Sequence, residues 1–226
     1  MLARLLGAFA RALVVLLPWP LKRRALTGLY GYQIAPSARI GLAWIYPDEL
    51  SMAPGSSIGH LTVAKGLARL ELGEAATIGR GNWISGYPRH GGRHFTHVVD
   101  RRPELVVGPH AAITNRHLID CTDLVTIGAF TTFAGFRSQI LTHSIELAVP
   151  RQSCAPVRIG SFCFVGTGSV LLGGARLPDH SVLGACSLLN DAFDETYTLY
   201  GGVPARPLRR LDERLGYFTR TVGFVH

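Results

Sequence analysis

The sequence predicts an all-β solenoid, a left-handed parallel β-helix with an N-terminal helix before it and a short C-terminal helical tail after it. Two observations carry that expectation. The first is a period of six: from Ile159 the chain reads IGSFCF, VGTGSV, LLGGAR, LPDHSV and LGACSL, with an aliphatic residue opening each hexad at Ile159, Val165, Leu171, Leu177 and Leu183. The second is a small residue at the fifth place of each hexad, at Cys163, Ser169, Ala175, Ser181 and Ser187. A triangular coil of three short parallel strands asks for this pattern, with one large aliphatic residue inward per face and a small one where the chain turns the corner. Hairpins, whose strands alternate at period two, do not hold consecutive hexads in phase.

The elements follow in chain order. Residues 1–33 are expected to form an amphipathic helix and a linker. Met1 to Leu21 resembles an anchor, but Arg4 and Arg11 interrupt it, and its longest uncharged stretch, Ala12 to Leu21, carries Pro18 and Pro20 and is too short to span a bilayer. It should cap the solenoid or touch a membrane face, where Lys22, Arg23 and Arg24 would suit anionic headgroups. Residues 34–190 should be the solenoid. Weaker hexads run through IAPSAR and IGLAWI from Ile34, IGHLTV from Ile58, LGEAAT and IGRGNW from Leu72, VGPHAA, ITNRHL and IDCTDL from Val107, and IGAFTT and FAGFRS from Ile127. Glycines after the opening aliphatic residue, Gly160, Gly166 and Gly184, suit turns with unusual dihedrals or tight backbone approach. Two interruptions, 86–104 and 144–156, should leave the body as loops, where a rigid solenoid carries its binding groups. Residues 191–226 make the tail.

Composition narrows the function. At 226 residues the chain buries one core, and 47% apolar against 17% charged residues excludes a disordered chain and leaves little charge to cover an isolated surface. Some apolar surface should therefore meet a partner subunit or a membrane. A net charge of +8 admits nucleic acid, anionic lipid or a polyphosphate cofactor. Nucleic acid drops out, because no recognition motif and no interleaving of aromatic with basic residues accompanies the charge. Cys121, Cys154, Cys163 and Cys186 form no C-x-x-C pair and read as reduced and mostly buried, which points to the cytoplasm.

One stretch is more specific. Asn115, the pair Ile119-Asp120, VTIG at Val125 to Gly128, LTHS at Leu141 to Ser144, PVRIG at Pro156 to Gly160 and GVPAR at Gly202 to Arg206 occur in that order. The combination resembles the hexapeptide-repeat acyltransferases of the galactoside, maltose and colanic-acid O-acetyltransferase kind. The resemblance implies an enzyme that uses acetyl-CoA or another acyl-CoA as co-substrate, needs no metal, modifies a small acceptor, foremost a saccharide hydroxyl, and works as a homotrimer with sites between subunits. His143 is then the general base. An imidazole titrates near neutrality and can take the proton of a hydroxyl as it attacks a thioester. It stands at the fifth place of the hexad Gln139 to Ser144, where this fold prefers a small residue.

The other site residues follow from the same resemblance. Asp120 contacts the acceptor, with Asn115 and His117 as further candidates lining the groove, and Glu146 is the candidate to orient the imidazole. Gly166, Thr167, Gly168 and Ala185 match the cofactor groove, and Arg206 and Arg209, with Arg210, are placed to meet nucleotide phosphates. Phe164 departs from the family, where many members carry tryptophan. Two rival activities and a scaffold share the fold. An N-acyltransferase acting on an amino sugar differs only in its acceptor. A γ-carbonic-anhydrase-like zinc enzyme needs histidines at its metal hexads, but the chain reads IGAFTTFAG from Ile127 to Gly135. A non-catalytic scaffold would leave His143 without a task.

Overall fold

Aliphatic residues six apart do fall within short strands. The computed structural model describes residues 2–89, 94–223 and 225, so residues 90–93 of the first interruption lie outside the described residues. Strands stack in register into three parallel sheets, the three faces of a prism. The first face runs from Gln33–Ile34 to Arg176–Leu177, the second from Arg39–Ile40 to Val182–Leu183, and the third from Trp44–Tyr46 to Leu188–Leu189, each with seven coil strands. This is the expected left-handed β-helix. Ile159, Val165, Leu171, Leu177 and Leu183 all point into its core, and the small fifth-place residues are buried at the corners.

One local expectation needs correcting. Unusual dihedrals sit at the fourth place of the hexad, at Phe162, Gly168, Gly174, His180 and Cys186, which all have positive φ. Glycine at the second place answers the other need, close approach: a Cβ on Gly166 would lie 2.5 Å from the Ala185 nitrogen one coil on. Bulky side chains accept the left-handed conformation because the coils stack them. His110, Phe130, Phe162, His180 and Tyr197 form a ladder along one corner with centroids 4.7–5.1 Å apart, so stacking offsets part of the backbone cost.

The ends also differ from the simple expectation. Two helices precede the prism, α1 (Leu2–Leu16) and α2 (Trp19–Tyr30), the latter opened by Pro20 in its first turn, where proline's missing N–H costs nothing. α2 buries Lys22 and Leu26 against the first coil and is the cap. No described helix is long and apolar enough to cross a membrane. The tail begins as an antiparallel hairpin, Thr198–Gly202 with Ala205–Arg210, that extends the second face. It ends in one helical turn, α3 (Gly216–Thr219), whose Phe218 packs on the aromatic ladder. Both interruptions, 86–103 and 142–156, leave from the end of third-face strands, so they emerge at one corner. The second is itself an antiparallel hairpin, His143–Glu146 with Arg151–Cys154, rather than an open loop.

Candidate active site

Asp120 ends the strand Leu118–Asp120 and pairs with Leu141 in the next coil, one residue before the chain leaves the prism. That stacking places a carboxylate under the first residues of the hairpin. Its Oδ2 accepts from the backbone N–H of Thr142 at 2.9 Å and of His143 at 3.0 Å, and from Thr142 Oγ1 at 2.8 Å. Its Oδ1 accepts from Thr122 N at 3.1 Å and Thr122 Oγ1 at 2.6 Å. The His143 ring completes the set, with Nδ1 2.8 Å from Oδ2. Burial opposes ionisation of Asp120, but donors from Thr122, His143 and Thr142 outweigh it and hold the carboxyl below the usual carboxylate range. An ionised carboxylate only accepts, so Nδ1 of a neutral His143 carries the proton and Nε2 is left with the free lone pair.

The imidazole is half-exposed at the mouth of a cleft of about 510 Å³. Leu141, Leu172 and Gly173 belong to the prism side of that cleft, Ser144, Ser153 and Cys154 to the hairpin, and Asn190 to the last coil. Gly173 has to be glycine, since a Cβ there would lie 2.8 Å from the Thr142 carbonyl oxygen beneath the dyad. Burial and the Asp123 carboxylate push the half-buried Cys154 thiol up to about 12. It is therefore not a thiolate at neutral pH, and His143 is the group in this cleft suited to proton transfer.

The first interruption closes one side. Tyr87 and Phe95 stand edge-on to the His143 ring at 6.4 and 6.2 Å. Arg101 holds them there. Its buried guanidinium donates to the carbonyls of Tyr87 at 2.7 Å, Pro88 at 2.8 Å and Thr122 at 2.9 Å, and lies 5.2 Å from the Phe95 ring centre. Thr122, Thr142 and Arg101 were not singled out from the sequence. Thr142 had a signal, its place beside His143, whereas Arg101 had none, because its three acceptors are backbone carbonyls.

The remaining expected site residues scatter. Glu146 does not orient His143; it is paired across the hairpin with Arg151 at 2.7 Å, and Asp120 takes the orienting place. Asp120 consequently belongs to the same wall as His143, not to an opposing wall from another copy. His117 is interior, 1% exposed, with Thr114 Oγ1 3.0 Å from its Nε2 and the Ser138 N–H donating to its Nδ1 at 3.2 Å. It fills the small corner place of its hexad, and burial lowers it to about 4. Asn115 sits at the corner between the second and third faces, where its Oδ1 accepts from Arg80 N at 2.9 Å. Gly166, Thr167, Gly168 and Ala185 occupy that same corner in later coils, across the third face from His143. Thr167 Oγ1 is used within the stack, donating to the Phe136 carbonyl at 2.9 Å. Arg206 and Arg209 are exposed on the tail hairpin. Phe164 packs edge-on against Tyr217 of the tail at 6.0 Å, and the Tyr217 hydroxyl donates to the Cys163 carbonyl. The hexad frame shifts at this point too: the buried aliphatic residue is Ile140, so His143 lies outside the repeat as the first residue of the hairpin, not at a fifth place.

No family model matches the sequence, and no curated protein does. Among solved structures the chain is similar to a hexapeptide-repeat-containing acetyltransferase from Vibrio cholerae complexed with acetyl coenzyme A, at 24% identity and a TM-score of 0.52 over 62% of this chain and 70% of that one. A second structure of that protein gives 25% identity and a TM-score of 0.50 over 62% and 73%. A variant of an N-acyltransferase from Bacillus cereus, in complex with dTDP and coenzyme A, gives 13% identity and a TM-score of 0.49 over 80% and 82%. The fold of this chain is that of the hexapeptide-repeat transferases.

Proposed function

We propose that this left-handed β-helix is an acyl-CoA-dependent acyltransferase, acetyl-CoA being the first donor to test, that acylates a hydroxyl of a small acceptor, foremost a saccharide. The observation that carries the reading is the Asp120–His143 pair at the mouth of the cleft. Nε2 of His143 takes the acceptor proton as the hydroxyl oxygen bonds to the thioester carbonyl carbon. Collapse of the tetrahedral intermediate breaks the C–S bond, and the departing sulfur takes the proton back from the imidazolium. Asp120 stabilises the positive ring in between, as a buried carboxylate held by several donors is placed to do. The likeness to an acetyltransferase complexed with acetyl coenzyme A supports the donor class.

The working unit in this reading is a homotrimer. Outward residues of the first face are largely charged, among them Arg69, Glu71, Glu104, Arg158 and Arg176, whereas the third face presents Trp44, Val63, Trp83, Leu118, Val170 and Leu188. Trp83 and Leu118 are 45% and 40% exposed. Packing copies by the third face about a threefold axis buries that surface and sets the His143 corner of one copy against the Gly166–Gly168 corner of the next. A thiol-release screen of acyl-CoA donors against hydroxyl and amino sugars tests the reaction. No thiol release with any pair, from a protein whose fold is intact, would overturn it, and turnover confined to amino sugars would change the acceptor class.

A further inference from the structure

A surface helix ordinarily turns its apolar stripe to the core. α1 does the reverse. Phe9, Leu13 and Leu16 recur at spacings of three and four, 65%, 51% and 70% exposed. The side toward the body carries Arg11 and Val14: Val14 is buried, the Tyr46 hydroxyl donates to the Arg11 carbonyl at 2.8 Å, and the Arg11 guanidinium lies 5.2 Å from the Tyr46 ring centre. Arg11 is roughly half a helical turn from the stripe. Leu21 and Leu29 of α2 are exposed as well.

Charge identifies what the stripe meets. No acidic residue precedes Asp48, while Arg4, Arg11, Lys22, Arg23, Arg24 and Arg39 all do. Among the described residues, none of the last five forms an ion pair; Lys22, Arg23 and Arg39 donate only to backbone carbonyls. This end of the molecule is thus apolar at its tip and positive behind; Asp48 and Glu49 lie near the end of α2, and among the described residues neither is ion-paired with these cations. A second copy would bring the same positive charge to the contact. An anionic lipid surface brings the opposite charge and an apolar interior.

We propose that α1 lies in the interface of an anionic bilayer with Phe9, Leu13 and Leu16 among the acyl chains, so that the prism stands on the membrane by its N-terminal end. The docking does not depend on acyl transfer, and its assay reads no turnover. In flotation with full-length protein, vesicles of phosphatidylcholine and phosphatidylserine in equal parts carry the protein upward, vesicles of phosphatidylcholine alone carry far less, and high salt weakens the binding. The triple variant Phe9→Ser, Leu13→Ser, Leu16→Ser keeps its melting temperature, because those side chains are exposed, and partitions about a hundredfold less. Arg24→Glu, which disturbs no buried contact, binds several-fold less. Failure of the unaltered protein to float with the mixed vesicles overturns the proposal. So does a triple variant that floats as well as the unaltered protein. So does a smaller assembly mass for that variant in vesicle-free buffer, which would mean that a second copy covers the stripe.

Discussion

Replacing Asp120 with asparagine separates the orienting role from the merely structural one. The carboxylate takes six hydrogen-bond contacts on two oxygens, two on Oδ1 from Thr122 and four on Oδ2 from Thr142 and His143. An amide offers one acceptor oxygen. Its less costly orientation puts the NH₂ at Oδ1, where the Thr122 hydroxyl can turn to accept, and leaves oxygen facing His143. The backbone N–H of Thr122 then loses its acceptor, and the bond to Nδ1 changes from charge-assisted to neutral. Charge-assisted bonds are worth about 1.5–3 kcal/mol and neutral ones about 0.5–1.5, so the imidazolium formed in the transition state loses roughly 1–2 kcal/mol. That corresponds to a fall in kcat of about 5- to 30-fold, with a further loss wherever the ring adopts the other tautomer. The signature lies in the split between kcat and KM. The charge-assisted bond strengthens only once the ring is positive, so the loss falls on kcat while KM for the acceptor stays nearly unchanged. A variant whose KM rises as much as its kcat falls would show that Asp120 only braces the hairpin, and unchanged kcat would remove the dyad from the mechanism.

Three further outcomes follow from the same site and core. His143→Ala lowers kcat by about a hundredfold or more while coenzyme A affinity, measured by calorimetry, stays nearly unchanged; near-native turnover would exclude His143 as the base. Turnover survives exhaustive chelation followed by desalting, because proton abstraction and thioester cleavage ask for no metal, and loss of activity restored by zinc would return the metalloenzyme reading. His117 has a folded value of about 4 against 6.5 when free. The unfolded chain therefore binds the extra proton first, and stability is lost as pH falls from about 6.5 toward 4, by about 2–3 kcal/mol. His117→Ser flattens that slope in urea titrations across the interval; an unaltered slope would place the acid sensitivity elsewhere.

The prism was legible because its inward residues answer to one simple demand, a large aliphatic residue per face, and the sequence meets that demand from Ile159 to Leu183 without a break. The hairpin tail was not, since Thr198–Gly202 is held to the second face by pairing with Val182 and Leu183 rather than by any repeat of its own. His117 misled for a physical reason: in a corner that prefers small residues, an imidazole is accommodated when Thr114 and Ser138 satisfy both ring nitrogens and Phe133 packs edge-on against it. A polar residue at a small place is therefore not by itself evidence of a groove. The true frame around His143 was obscured by one extra residue between Phe133 and Ile140, taken up in a corner that has a second positive φ, at Gly135, besides the usual one at Arg137.

The dyad also shows why a solenoid can build a site that no local motif announces. Asp120 and His143 are 23 residues apart, and what joins them is the stacking of one coil on the next. Had the chain continued as prism after Leu141, Thr142 and His143 would have been committed to the next corner and strand, with their side chains turned in or out by the pleat. Leaving the prism at Thr142 frees two backbone N–H groups and one ring to turn back onto the same carboxylate oxygen. Arg101 then fastens the other interruption to the carbonyl of Thr122, whose hydroxyl holds Oδ1. The two breaks in the repeat are thus mechanically joined at Asp120, and the imidazole is placed by the regularity of the coils together with the point at which that regularity stops.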